Sequence, residues 1–95
     1  MAAYLIARVE VTNPDAYESY KKLAAAAIQK YDGRYLARGG NMETLEGDQE
    51  SRRVVIVWFP TLEQAKKFYA SPEYQEAKAA REGAANGQFV IVDGI

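Results

Sequence analysis

The residues with the clearest capacity for chemistry are Arg38, Gly39 and Gly40, which follow a predicted strand as an RGG triplet. Two glycines allow close backbone approach and positive φ angles. Their N–H groups beside a guanidinium would form a small cationic concavity of the kind that binds anions. The same glycines could instead form a bulge or bend that a curved sheet needs. The sequence leaves both interpretations open.

Arg8 and Trp58 are further candidates, and both are predicted on the face of the sheet that helices do not cover. Arg8 could bind a carboxylate in a half-buried pocket. The favoured alternative is that Arg8 forms an ion pair with Glu10 of a partner or with another interface acid. Trp58 could form the floor of a pocket for a flat ligand. Packing in a dimer interface is the favoured role for this side chain.

Tyr69, Tyr74 and Arg81 are candidates on predicted helices. The two tyrosines flank a break at Ser71-Pro72, and either hydroxyl could orient a substrate or act as an acid near a cation. A structural place in an apolar helix stripe is the favoured role of each. Arg81 either points toward the end of the sheet or is solvated.

Composition excludes several classes of chemistry. The chain has no Cys and no His, which excludes disulfides, thiolate metal sites, cysteine nucleophiles and haem held by His. No pair of acids stands out at a useful spacing, and we expect neither a metal nor a cofactor. The net charge of −1 gives no electrostatic footprint for nucleic acid or an anionic membrane.

The sequence predicts a single domain with a cytoplasmic location. Its 95 residues fit a single domain, 1–95. No segment approaches the roughly 20 apolar residues that span a bilayer. Residues 1–11 lack the basic start of a signal peptide. A cytoplasmic location is therefore the default expectation.

The elements that must position these residues follow from periodicity and caps. Asn13-Pro14-Asp15 begins a helix for which Gly33 is a plausible C-terminal cap. Thr61 and Gln64 form a capping box, and Ser71-Pro72-Glu73 opens another helical segment through about Ala85. Strands are expected at 4–11, 34–38, 53–59 and 88–92, with pairing continued over 42–46.

This order is β-α-β-β-α-β, with the second helix broken at Pro72. It is the order of a ferredoxin-like α+β domain, in which two helices cover one face of a four-stranded antiparallel sheet. The strand at 53–59 is nevertheless apolar on both faces. A soluble monomer rarely exposes such a surface, so we expect a second copy of the chain to cover it around a two-fold axis.

Several short motifs together resemble a known family. They are Arg38-Gly39-Gly40, Leu45-Glu46-Gly47, Phe59-Pro60 before Thr61, and Ser71-Pro72-Glu73-Tyr74-Gln75 followed by Arg81. In order and spacing they resemble the family known as domain of unknown function 1330, over essentially the whole chain. The resemblance implies a dimeric α/β barrel, in which two ferredoxin-like sheets face each other. Two positions depart from the pattern: Trp58 stands where many members have an acid, and Asp48-Gln49 where many have an aromatic.

Relatives in the wider superfamily include cofactor-free monooxygenases, isomerases, haem-binding enzymes and ligand-sensing domains, so the fold alone does not supply a function. From the residues we expect a homodimer that binds a small organic anion or aromatic acid through Arg38, the glycine backbone and Arg8. An enzyme of this kind would be cofactor-free and resemble a monooxygenase or isomerase. The alternative is a non-catalytic binding, sensing or accessory protein.

Overall fold

Four strands and three helices make up the fold. The computed structural model describes residues 1–95, and it confirms the predicted order with the second helix split at Pro72. The elements are β1 (Ala3–Val11), α1 (Pro14–Lys30), β2 (Arg34–Arg38), β3 (Arg53–Phe59), α2 (Leu62–Ala70), α3 (Pro72–Ala80) and β4 (Ala85–Asp93).

The strands form one antiparallel sheet in the order β2-β3-β1-β4. The central strand β1 places Leu5 opposite Val57 of β3 and Ile91 of β4. Because successive side chains point to opposite faces, these residues share the face covered by the helices. The core of the domain lies between that face of the sheet and the helices. It consists of the buried side chains of the sheet face and of those on the inner sides of α1, α2 and α3. The ferredoxin-like fold class predicted from the sequence is therefore confirmed.

The helices begin where side-chain caps were expected. The side chain of Asn13 accepts the N–H of Ala16, and that of Thr61 accepts the N–H of Gln64. The Gln64 side chain does not complete the capping box. Its amide donates instead to the Tyr31 carbonyl at 3.0 Å, which ties the start of α2 to the end of α1.

The end of α1 differs from the prediction. Asp32, and not Gly33, takes the left-handed conformation, with φ of 69°. Gly33 is required for a different reason, because a Cβ there would lie 2.8 Å from both Ile28 Cγ2 and Phe59 Cε1. This glycine therefore lets the chain pass close to the core on its way to β2.

Two other boundaries were predicted wrongly. Residues 42–46 do not pair, because β3 begins only at Arg53 and offers β2 no partner before it. The chain from Gly39 to Arg52 is a loop instead. The last helix ends at Ala80 rather than near Ala85, and a turn through Gly83, with φ of 79°, follows. Strand β4 then pairs with the whole length of β1.

The other face of the sheet carries no helix and is apolar. We call it the bare face. Val90 and Val92 are 42% and 46% exposed there, and they stand beside half-buried side chains of the two central strands. Strand register places on this face Tyr4, Ile6, Arg8, Val54, Ile56, Trp58, Val90 and Val92.

Because the chain passes so close to the core at Gly33, a single added methyl group should destabilise the folded protein. We expect Gly33→Ala to lower the free energy of unfolding by about 1–3 kcal/mol, because the buried side chains it meets cannot yield without strain. Gly40→Ala is the matched control, since nothing lies within 4 Å of a Cβ there. Urea denaturation of both variants tests this, and equal stability of the two would contradict it.

Candidate functional site

Seven polar side chains from four elements lie near one another on the helix-covered side of the sheet, and one of them, Arg38, is exposed at its edge. They lie toward the end where β1 finishes and β3 and β4 begin. We call them the tyrosine–arginine cluster: Tyr17, Tyr20, Tyr35, Tyr74, Arg38, Arg53 and Arg81. Three of these seven, Arg38, Tyr74 and Arg81, were candidates from the sequence.

The tyrosines of α1 and α3 form the buried centre of the cluster. Tyr17 and Tyr20 lie three residues apart on the inner face of α1, with ring centroids 5.0 Å apart. The hydroxyls of Tyr20 and Tyr74 are 3.0 Å apart and share a hydrogen bond. Because one residue comes from each helix, this bond fixes the two helices relative to one another.

Ser71 sets the position of Tyr74. It lies between α2 and α3, where its hydroxyl donates to the Phe68 carbonyl and accepts the N–H of Tyr74. The one side chain therefore caps the end of α2 and the start of α3, and Pro72 occupies the first position of the new helix. The break turns the chain so that Tyr74 is almost fully buried.

Arg81 follows the last turn of α3, a position that favours a positive charge. Its guanidinium lies 5.4 Å from the ring centre of Tyr20 and 4.5 Å from that of Phe89. Its Nε atom is buried and has no hydrogen-bond partner. Arg81 is therefore directed into the domain rather than solvated.

Arg53 begins β3 on the helix-covered face, in step with Val55 and Val57. Its guanidinium packs on Gly39, where a Cβ would lie 2.2 Å from Nη1 of the arginine. The Nε atom of Arg53 is also buried without a partner. The Arg53 guanidinium therefore occupies space that Gly39 leaves open, and the φ of 69° at Gly39 is one that glycine adopts readily.

The RGG triplet takes the bend that the sequence suggested as an alternative, at Gly39 with φ of 69°, and not the bulge. The register of β2 shifts between Tyr35 and Ala37 instead, ahead of the glycines. This irregularity brings Arg38 to the same side of the sheet as Tyr35, and the guanidinium lies 4.4 Å from the tyrosine ring centre. The Gly39 amide donates to the Val54 carbonyl at 2.9 Å, so that amide is used by the sheet.

The electrostatics of the cluster favour an anion. Burial raises the pKa values of Tyr17 and Tyr35, against the opposing effect of nearby guanidinium groups. Burial and the Tyr74 hydroxyl also raise the pKa of Tyr20. These phenols are therefore neutral hydrogen-bond donors or acceptors near pH 7. The ion pairs of the chain involve only Arg8, Lys21, Lys30, Arg52 and Lys66 as cations, so no carboxylate neutralises the arginines of the cluster.

Two cavities adjoin the cluster. A polar hollow of about 420 Å³ lies between α3 and the start of β4, and Arg81 is on its wall with Lys78 and Asn86. An apolar cleft of about 220 Å³ lies between α2 and the sheet. Its wall is formed by Leu5, Lys66, Tyr69, Phe89 and Ile91.

The other predicted site residues lie elsewhere. Arg8 and Trp58 are on the bare face, where Arg8 pairs with Glu50 of the loop before β3 at 3.3 Å. Trp58 packs against Arg34, whose guanidinium is 5.1 Å from its ring. Tyr69 is outside the cluster, but its ring centre lies 5.0 Å from that of Tyr74. Gly40 is exposed at the edge of the sheet.

Sequence reasoning missed Tyr17, Tyr20, Tyr35 and Arg53 as site residues. Tyr17 and Tyr20 were taken as part of an ordinary apolar stripe. The available signal was Arg53, a charged residue in step with Val55 and Val57 on a face that the helices cover. The shift in β2 left no signal, because no glycine or proline occurs within that strand.

The hydrogen bond between Tyr20 and Tyr74 predicts a measurable coupling. Tyr20→Phe or Tyr74→Phe alone should cost about 1–3 kcal/mol of stability, because each leaves a buried hydroxyl unsatisfied. The double variant should cost less than the sum. Tyr69→Phe, at a hydroxyl that makes no hydrogen bond within the chain, should be nearly neutral. Additive losses in chemical denaturation would show that the two hydroxyls do not interact.

A metal-binding cluster and a membrane-spanning helix are both absent. No group of three or more acidic side chains is arranged to hold a metal ion. None of the three helices has the length and apolar character needed to cross a membrane.

Comparison with solved structures shows the fold. A protein of unknown function from Rhodopseudomonas palustris is 20% identical, with a TM-score of 0.74 over 99% of this chain and 82% of the other. SnoaB, a cofactor-independent oxygenase from Streptomyces nogalater, is 16% identical, with a TM-score of 0.70 over 99% and 93%. A dimeric protein of unknown function and ferredoxin-like fold from Bacteroides fragilis is 16% identical, with a TM-score of 0.68 over 98% and 96%.

At these identities the similarity establishes architecture and leaves activity open. A search among curated proteins gave no match by sequence. The family model described as domain of unknown function (DUF1330) matches residues 2–95. The resemblance noted in the short motifs thus extends over the whole chain, and the protein belongs to the DUF1330 family.

Proposed function

We propose that the protein binds a small organic anion, such as an aromatic acid or a phenolate, at the tyrosine–arginine cluster. The observation that carries this proposal is the set of three arginines without a carboxylate partner. Two of them, Arg53 and Arg81, have a buried Nε atom with no hydrogen-bond partner. The proposal keeps the anion expected from the sequence and moves its site from the glycine backbone to the cluster.

The physical basis is the cost of burying charge. A cation withdrawn from water without a counter-ion or a full set of hydrogen bonds destabilises the folded protein. An anionic ligand would offset that cost, since guanidinium groups bind carboxylates and other planar anions through paired hydrogen bonds. The neutral tyrosine hydroxyls would donate further hydrogen bonds to the ligand, and the polar hollow beside Arg81 would give it access.

Cofactor-free oxygenation is the second candidate function. The same donors that bind a carboxylate would stabilise an enolate or phenolate as its charge develops, and such a carbanion-like substrate can react with O₂ itself. The fold similarity to SnoaB, a cofactor-independent oxygenase, supports this reading by analogy. Oxygen uptake that depends on both protein and an ionised phenol would separate it from simple binding.

Arg81→Met tests the anion site. Methionine replaces the apolar stem of the arginine with an unbranched apolar side chain and removes the unpaired cation. We expect the affinity for benzoate to fall about tenfold or more, from the loss of a charge-assisted contact. We expect the free energy of unfolding of the free protein to change by less than about 1 kcal/mol, because Arg81 is half-buried and has no carboxylate partner to lose.

Isothermal titration calorimetry with benzoate and inorganic phosphate, beside urea denaturation, measures both quantities. Lys22→Gln is the control, since it removes one positive charge from an exposed position on α1. Equal affinities in wild type, Arg81→Met and Lys22→Gln would contradict a site at Arg81. Equal losses in the two variants would show that only the net charge matters.

We also propose that two copies pair through the bare face. The apolar side chains of that face are half-exposed in a single chain, and a similar structure from Bacteroides fragilis is described as dimeric. At about 25 cal/mol per Å² of apolar area, burial of several such side chains offsets much of the cost of association. A two-fold axis is the common solution for identical chains.

Charge placed on the bare face should separate the copies. We expect Val90→Lys to shift the protein from dimer to monomer at micromolar concentration in sedimentation equilibrium, because the ammonium group cannot be desolvated cheaply. Ala26→Lys is the control, at an exposed position on α1 far from this face. A wild-type monomer at these concentrations, or a Val90→Lys dimer of unchanged strength, would contradict the pairing.

A further inference from the structure

The apolar cleft between α2 and the sheet adds information about the ligand. Four of its five lining residues are hydrophobic: Leu5, Tyr69, Phe89 and Ile91. Lys66 is the fifth, and it faces Glu63 of its own helix at 3.9 Å. A long lysine side chain can line an apolar wall with its methylene groups while its ammonium stays in water. The cleft is thus an apolar chamber with a charged rim.

Two aromatic rings connect this chamber to the tyrosine–arginine cluster. Tyr69 lines the cleft and packs on Tyr74, with ring centres 5.0 Å apart. Phe89 lines the cleft and contacts the Arg81 guanidinium, 4.5 Å from its ring centre. Phe89 therefore lies between the apolar chamber and the unpaired cation of Arg81, and Tyr69 lies between the chamber and Tyr74. A molecule that satisfies both must be amphiphilic, with an anionic group joined to an apolar body.

The volume of the cleft limits that body. An apolar cavity of about 150 Å³ is large enough to hold benzene, whereas pockets for drug-sized molecules start near 300 Å³. At about 220 Å³ the cleft has room for one ring with a short linker, and a fused polycyclic system would extend out of it into solvent.

We propose that the cleft determines specificity for monocyclic aromatic acids. The ring lies among Leu5, Tyr69, Phe89 and Ile91, and the anionic group is directed toward Arg81. This inference rests on the proposed function, because it assumes an anion at the cluster and adds the size and shape of the group that the anion carries.

A series of carboxylates of increasing size tests the proposal by calorimetry on the wild-type protein. Acetate probes the cluster alone, phenylacetate adds one ring, and anthracene-2-carboxylate adds three fused rings. We expect phenylacetate to bind about tenfold or more tightly than acetate, from burial of the ring. Anthracene-2-carboxylate should bind less tightly than phenylacetate, because its three rings exceed the volume of the cleft.

Two alanine variants test whether the preference for one ring arises in the cleft. Ile91→Ala enlarges the chamber and should reduce the preference for phenylacetate over anthracene-2-carboxylate severalfold. Leu45→Ala removes apolar volume at an exposed loop position outside the cleft, the cluster and the bare face, and should leave that preference unchanged. The wild-type ligand series decides the proposal even if Ile91→Ala fails to fold.

The outcomes separate this inference from the proposed function. If acetate and phenylacetate bind equally and both are weakened by Arg81→Met, the anion site stands and the chamber plays no part. If anthracene-2-carboxylate binds as tightly as phenylacetate, the size limit is wrong. If none of the three carboxylates binds, the proposed function and the inference from it both fail.

Discussion

The pairing of β1 with both β3 and β4 is the constraint on which the rest of the structure depends. Its register determines which side chains of all three strands point to the helices and which to the bare face. Slipping the pairing by one residue would exchange the two faces. It would also turn Arg53 away from the helices and carry Phe89 away from Arg81. The cleft, the bare face and the place of Arg53 in the cluster therefore depend on this register.

The tyrosines and the arginines of the cluster contribute differently to stability. Tyr20 and Tyr74 satisfy one another, and Ser71 holds the helix that carries Tyr74, so the tyrosines strengthen the contact between α1 and α3. Arg53 and Arg81 contribute charges that no acid of the chain neutralises. A domain under selection for stability alone would gain by replacing them with apolar residues. Under the proposed function, an anionic ligand would neutralise these charges.

Fold and chemistry are separable in this protein. Structures only 16–20% identical share its architecture, because the sheet needs little more than alternating apolar residues and correctly placed caps. What distinguishes one such domain from another is the set of side chains between sheet and helices. Here that set contains tyrosine, arginine and apolar residues but no histidine or cysteine, which favours binding or stabilisation of an anion over proton transfer near neutral pH.

The sequence alone determined the order of the elements, the caps at Asn13 and Thr61, the break at Pro72 and the two-sided apolar character of β3. These features depend on local preference and on periods of 2 and 3.6 residues, which can be read along a chain. Only the tertiary structure decided that Arg38 reaches the helix side, since the shift in β2 depends on its fit to β3. Only the tertiary structure also brought Arg53 and Arg81 together with tyrosines far apart in the chain, because such a meeting depends on register and helix packing.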